Sequence, residues 1–192
     1  MADIIVTAYD PAWPLSFARL RDELWPHVAD CALSIEHVGS TSVPDLAAKP
    51  IIDLVVVVAD DVQQRAVIAA LTQQGYEHRG DLGIAGREAL RNQRAERPAH
   101  HLYVCRQDNL AFRNHRAVRD TLRSDAAAVA EYGALKHELS RRFPRDIDQY
   151  IAGKSAFLLG LLKCAGFTPA ELALIAGVNS APFNPPPVAG RP

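Results

Sequence analysis

The stretch IEHVGSTSVPDLAAKPIIDLVVVV, from Ile35 to Val58, decides how this chain is read. A short strand, Leu33 to Val38, sends the side chains of Glu36 and His37 to opposite faces by simple alternation. Gly39 to Pro50 is a loop of turn formers and hydroxyls with one lysine, Lys49. Ile51 to Val58 then lacks the apolar–polar alternation of a half-exposed strand. Such a strand is buried on both faces, which requires helices on at least one side of its sheet. Period two puts Ile51, Asp53, Val55 and Val57 on one face and Ile52, Leu54, Val56 and Val58 on the other. Asp53 cannot stay ionised in that setting without a cation, a metal or several backbone N–H donors. It is either a structural acid paired with Lys49 or loop amides, or an acid that meets a ligand.

Outward from this stretch, Ile4 to Thr7 reads as a short edge strand closed by Asp10-Pro11. A helix is expected from Pro14 to Val28, with Leu15, Leu20, Leu24 and Val28 at helical spacings, Pro14 at its first position and Pro26 ending it early. Asp60 or Asp61 caps a further helix to about Gln74, with Val62, Ala66, Ala69 and Ala70 turned inward and Gly75 as its stop. Tyr76 to Arg94, punctuated by Gly80, Gly83 and Gly86, reads as short strands and turns, and His100 to Cys105 as a strand. Asn109 to Arg123, Asp125 to Phe143 and Asp146 to Cys164 each carry helical patterning. Thr168-Pro169-Ala170-Glu171 is a helix start: hydroxyl N-cap, Pro at the first position, Glu reaching back. Strands come first and helices second, so the expected class is α+β, a mixed sheet packed with helices and a helical C-terminal part. One domain is expected over residues 1–178, followed by a flexible proline-rich tail over 179–192.

The chain has 192 residues, 48% of them hydrophobic, and a formal net charge of -1. That excludes the charge excess of a bulk nucleic-acid binder. Three scattered cysteines without CxxC or Cys/His spacing argue against a disulfide framework and a structural zinc and favour a reducing compartment. The start, MADIIVTAYD, carries acids where a signal peptide has a positive region, and no long apolar run follows. A cytoplasmic protein with no membrane partner is the expectation.

Gly39-Ser40-Thr41-Ser42 combines a permissive backbone, N–H groups and hydroxyls, a composition suited to phosphate oxygens. Lys49 adds a point charge for the same anion. Neither a Walker loop nor the Rossmann glycine fingerprint is present. Val38-Gly39-Ser40 followed by Asp53 on an apolar strand is similar to the signature of the nucleotidyltransferase superfamily related to DNA polymerase beta. More closely, EHVGSTSVPDLAAKPIIDLVV resembles the GrpB-like family within that fold. The likeness continues through GDLGIAGR, HHLYV, VRDTLRSD, EYGALK and DIDQYIAGKSAF, roughly residues 5 to 165. It implies a nucleotidyltransferase-like fold, a nucleotide or phosphorylated small molecule as ligand, and Mg²⁺ or Mn²⁺ as the metal of the active version. There the Gly-Ser turn binds the triphosphate, and carboxylates two residues apart on the strand, with a third nearby, clamp the metals. Here Asp53 matches the first acid, but Val55 stands at the second position and His100 to Cys105 supplies no third. The carboxylate set is incomplete.

Further candidates fall along the chain. His101 shares a strand face with Tyr103, and His100 with Leu102, so one histidine at most joins Tyr103 in a cleft; His101 is the candidate, as base or as ligand to a softer metal with Asp53. His37 is a base or a hydrogen-bonded core histidine. Arg87, after Gly86, is an anion contact on a loop. Arg113, Arg116, Arg119 and Arg123 form a helical stripe that either neutralises phosphates or is a solvated face with Asp120 as internal partner. Tyr132/Lys136 and Tyr150/Lys154 are i,i+4 pairs; the first reads as packing, and Lys154 as packing or as a phosphate contact. In the enzymatic reading Asp53 and His101 carry the chemistry, Asp53 holds metal, and Gly39, Ser40, Thr41, Ser42, Lys49, Arg87, Arg119 and Lys154 bind the phosphorylated ligand. The alternative is a catalytically silent ligand-binding or regulatory module.

Overall fold

The structure is a computed structural model in which residues 3–180 are described. The described residues divide into two compact units, one built on 11–38 and 51–113 and one on 3–10, 39–50 and 114–180.

The first is a sheet unit. It holds α1 (Ala12–Val28), β1 (Ser34–Val38), β2 (Ile52–Val58), α2 (Asp61–Gln73), β3 (Tyr76–His78), β4 (Arg87–Asn92) and β5 (His100–Arg106). The strands form one five-stranded sheet in the order β1-β2-β5-β4-β3. Only β2 and β5 run parallel; the other neighbours are antiparallel. A parallel pair needs a crossover, and here it is α2 with the β3–β4 hairpin.

The alternation expected for β2 is observed. Val55 and Val57 join Val38, Ala89, Tyr103, Cys105 and Phe112 in one buried cluster. Ile52, Leu54, Val56 and Val58 are buried on the opposite face. On that second face His37, the register partner of Leu54, stacks on Phe17 of α1 with ring centroids 4.6 Å apart. The core reading of His37 therefore holds, and α1 is the helix that covers it.

Local details differ from the sequence reading. Ile4 to Thr7 forms no strand; Thr7 makes a single antiparallel bridge with Ala48. Pro11, not Pro14, stands at the N-cap of α1, and Pro26 lies inside the helix instead of ending it. A proline there forgoes only its own bond to the carbonyl four residues back, next to exposed Asp22. Helix α2 is capped by Asp60, whose carboxylate accepts from the backbone N–H of Val62 and Gln63, each at 2.8 Å. Its buried face is Gln64, Val67 and Leu71, whereas Val62, Ala66 and Ala69 are exposed. Gln64 is buried because its amide donates to the carbonyls of Gly86 and Val104, at 3.2 and 3.1 Å. A satisfied amide can sit in a core where hydropathy alone would not place it.

The second unit is helical, with α4 (Ala126–Arg142), α5 (Ile147–Cys164), α6 (Pro169–Ser180) and most of α3 (Leu110–Ser124). Its core joins Leu122, Ala128, Val129 and Tyr132 to Val43 and Leu46 of the 39–50 segment. The capping box of α6 is present: Thr168 N–H donates to Glu171 at 2.8 Å and Glu171 N–H to the Thr168 hydroxyl at 3.3 Å. Helix α6 includes Asn179 and Ser180, where the tail was expected to have begun; the rest of that tail lies outside the described residues.

Candidate functional site

In the sheet unit the candidate site grows from one register. Asp53 pairs with His101 across the parallel β2–β5 ladder and with Val38 across β1–β2. His101 Nδ1 lies 2.9 Å from Asp53 Oδ1. A neutral imidazole with its proton on Nδ1 donates to the carboxylate, which fixes the tautomer and ring orientation and leaves Nε2 as the basic nitrogen. The two side chains keep 25% and 18% of their surface exposed, on a strand whose next five residues are buried. This accessible acid–histidine pair is the feature an apolar strand does not need for folding.

The same face continues to His101's neighbours. Tyr103 sits 6.3 Å away, centroid to centroid, and the Arg87 guanidinium lies over its ring at 4.4 Å. Burial, with the Asp53 charge adding to it, pushes the Tyr103 hydroxyl well above the usual phenol range. Burial likewise pushes the Cys105 thiol up to about 12, so that group is inert as a nucleophile. Arg87 opens β4, opposite Cys105, and is not on a free-standing loop. Its approach is clamped by the Gln64 bond to Gly86 and by Asn109, whose amide donates to the Ala85 carbonyl at 2.9 Å.

The acids fall short of a metal clamp. Val55 is fully buried in the apolar cluster. Glu88 pairs with Val104, so it points to the opposite face, where it meets His78 at 2.6 Å. Glu36 pairs with Val55 and so shares the Asp53 face; it accepts from Ser34 at 3.1 Å. Among the described residues no three His, Cys, Asp or Glu side chains are grouped to hold a metal ion. These donors do not fit a two-metal site.

In the helical unit the Gly39–Pro50 segment begins one residue after Val38. Gly39 has φ 69 and ψ -175, a region open essentially to glycine alone. It launches a short 3-10 turn, Ser40–Ser42. Thr41 and Ser42 are buried, and the Ser42 hydroxyl donates to the Gly39 carbonyl at 2.6 Å; Gly39 and Ser40 are half-buried. Arg123 donates through Nε and an Nη to the Ser42 carbonyl, at 3.0 and 2.7 Å. Arg123 of the stripe thus braces the turn, and Arg119 pairs with Asp120 at 2.7 Å, the internal partner the sequence suggested.

Lys49 Nζ lies 6.0 Å from the Tyr150 ring centroid, and Lys154 Nζ covers the same ring at 4.4 Å. Lys136, read from sequence as packing against Tyr132, does lie over that ring at 4.5 Å. It is also 2% exposed, and its ammonium nitrogen has no hydrogen-bond partner among the described residues. Sequence reasoning missed this, because i,i+4 spacing announces the ring contact but not the burial. Of the residues expected to meet phosphate, Gly39, Ser40, Thr41, Ser42, Lys49, Arg119 and Lys154 belong to the helical unit; Arg87, like Asp53 and His101, belongs to the sheet unit.

The fold is that of nucleotidyltransferases: the poly(U) polymerase Cid1, solved with MgGTP bound, superposes with a TM-score of 0.52 at 17% identity, over 71% of this chain and 45% of Cid1. Residues 3–163 match the family described as GrpB protein, and the chain belongs to that family. The crystal structure of the conserved protein GrpB from Enterococcus faecalis is 36% identical, with a TM-score of 0.73 over 88% of this chain and 98% of that one. The UPF0157 protein YqkA of Bacillus subtilis is 33% identical over 153 residues, 80% of this chain and 44% of YqkA. The chain therefore spans less than half the length of that relative. No helix among the described residues is long and apolar enough to cross a membrane.

Proposed function

We propose that this GrpB-family chain binds a nucleotide or another phosphorylated small molecule, and that the Asp53–His101 pair acts on it. The observation that carries the reading is the 2.9 Å pair itself, part-exposed on a strand that is otherwise core. In the enzymatic form of the proposal His101 Nε2 takes a proton from an acceptor hydroxyl while Asp53 stabilises the resulting imidazolium. Arg87, in the same unit, offsets phosphate charge. Support also comes from Cid1, a structural neighbour solved with MgGTP. A single Mg²⁺ or Mn²⁺ would arrive with the ligand's phosphates, held by Asp53 and waters.

A second reading, a ligand-binding module without catalysis, is favoured by Val55, a buried alkyl group where active nucleotidyltransferases carry their second acid. A thermal-shift panel of nucleotides with and without Mg²⁺ or Mn²⁺ separates the two. Metal-dependent stabilisation that Asp53→Ala abolishes is the enzymatic outcome. Metal-independent stabilisation that survives Asp53→Ala and falls with Lys154→Ala is the module. The absence of any nucleotide shift defeats both.

A further inference from the structure

Between β3 and β4 the sheet unit carries a loop, residues 79–86, that is tied down at both ends. At its base Arg79 N–H donates to the Ala89 carbonyl and Ala89 N–H to the Gly80 carbonyl, each at 2.9 Å. At its exit the Gln64 amide holds the Gly86 carbonyl, and the Asn109 amide holds that of Ala85. The tip hydrogen-bonds locally: Gly83 N–H donates to the Asp81 carboxylate at 2.8 Å, and Ile84 N–H to the Asp81 carbonyl at 3.0 Å. A methyl group added at Gly80 or Gly83 would meet nothing within 4 Å, so the loop has open space beside it. Leu82 joins the tip to the core, packing against the cluster that holds Val55, Tyr103, Cys105 and Phe112. It does so at φ 49, in the left-handed region that disfavours a leucine.

A glycine would adopt that backbone without cost, so what the leucine provides is its seat in the cluster. Only those contacts offset the strained φ, and Leu82 is partly buried rather than enclosed. A second cost lies on the same sheet face. Arg87 covers the Tyr103 ring, and its Nε is buried with no hydrogen-bond partner among the described residues. We propose that residues 81–84 form a lid latched by Leu82, hinged between the anchored base at Gly80 and the anchored exit at Ala85–Gly86, which gates access to Tyr103 and Arg87. Lifting the latch relaxes the Leu82 backbone and admits water to the Arg87 guanidinium. It forfeits the contacts of one partly buried side chain. The closed and open states therefore lie close in free energy, the condition for a local opening that leaves the remaining fold intact. The gate goes beyond the ligand reading and stands whether or not a nucleotide is what it admits.

Cys105 reports the opening. It is fully buried in the cluster and lies opposite Arg87, the residue that follows the loop. Exposure removes the burial that keeps its thiol unreactive. The full chain is treated with iodoacetamide at urea concentrations below the unfolding transition, and peptide mass spectrometry follows Cys105 separately from Cys31 and Cys164. Wild type is expected to alkylate at Cys105 at a rate nearly independent of urea, the mark of a local opening. Leu82→Ala should raise that rate about tenfold or more, whereas Leu82→Met, which refills the seat, stays near the wild-type rate. Leu71→Ala is the control: it truncates a buried leucine of α2 outside the cluster, so it lowers the urea midpoint and leaves the urea-independent rate unchanged. The lid is overturned if alkylation of Cys105 climbs with urea as steeply as global unfolding does. It is equally overturned if Leu82→Ala speeds the reaction no more than Leu71→Ala.

Discussion

His100 and His101 are neighbours in sequence and opposites in chemistry. His101 stands beside Asp53 at 2.9 Å and stays part-exposed. His100, on the other face, meets the Tyr76 hydroxyl through Nε2 at 2.8 Å and the Pro98 carbonyl through Nδ1 at 2.6 Å. The neutral ring fits that arrangement, with Nδ1–H donating to the carbonyl and Nε2 accepting from the tyrosine. Burial depresses its pKa from 6.5 to about 4, outweighing the help the Pro98 carbonyl gives the charged form. The unfolded chain then binds more protons than the folded one between those values. Stability from this group is complete above about pH 6.5 and falls as the pH drops toward 4. From urea unfolding, wild type should lose roughly 2–3 kcal/mol more than His100→Gln between pH 7.5 and 4.5. An equal loss in the two proteins would show that His100 is charged in the native state. Alternation in the sequence already separated the faces of the two histidines. It could not name their partners, because those follow from the parallel register of β2 with β5 and from the docking of β3, neither of which is local.

At the scale of elements, the sequence was most legible where one residue type has one physical use. The Thr168–Glu171 box marks the start of α6, and the apolar run of β2 demands cover on both faces. It was least legible where the fold overrides composition, as in α2, whose Ala66 and Ala69 face solvent while Gln64 is buried. The candidate residues divide the same way: Asp53 and His101 in the sheet unit, and Gly39 and Lys49 in the helical unit, are readable as chemistry, whereas the burial of Lys136 depends on how α4 and α5 pack. Glycines sharpen the contrast between strain and ease. Gly39 joins β1 to the Ser40–Ser42 turn at a φ,ψ that a side chain resists, so Gly39→Ala should cost about 1–3 kcal/mol. Gly160 sits inside α5 with nothing within 4 Å of an added methyl, so Gly160→Ala should stabilise by about 0.5–1 kcal/mol. Denaturant midpoints read both: a Gly39→Ala that does not destabilise would mean that the turn does not hold Gly39 at that φ,ψ, and a destabilising Gly160→Ala would mean that the space beside it is filled.

At the scale of the whole molecule, neither unit is a continuous piece of chain. The helical unit draws residues 39–50 from between β1 and β2, and those residues are structural members of it. Val43 and Leu46 are 1% and 0% exposed, and both sit in its core with Leu122, Val129 and Tyr132. The bracing of Ser42 by Arg123 belongs to the same unit. A fragment covering residues 109–180 keeps α3 to α6 and the Asn109 side chain that accepts from Ala111 N–H at 2.9 Å, but it lacks the two aliphatic side chains that fill the core from outside the helices. Removing two fully buried side chains of that size forfeits several kcal/mol, about 2–5 for a leucine truncated in a core. Marginal stability of a small helical piece does not absorb such a loss. The fragment should therefore be helical by far-ultraviolet circular dichroism yet melt without a cooperative transition, while the full chain melts cooperatively. Adding a synthetic peptide of residues 39–50 in excess should restore cooperativity in a concentration-dependent way, since a segment that binds only the folded form stabilises it by mass action. Leu46→Asp in the peptide should abolish that rescue. A fragment that melts sharply by itself would mean that the 39–50 segment rests on the helices without holding them together.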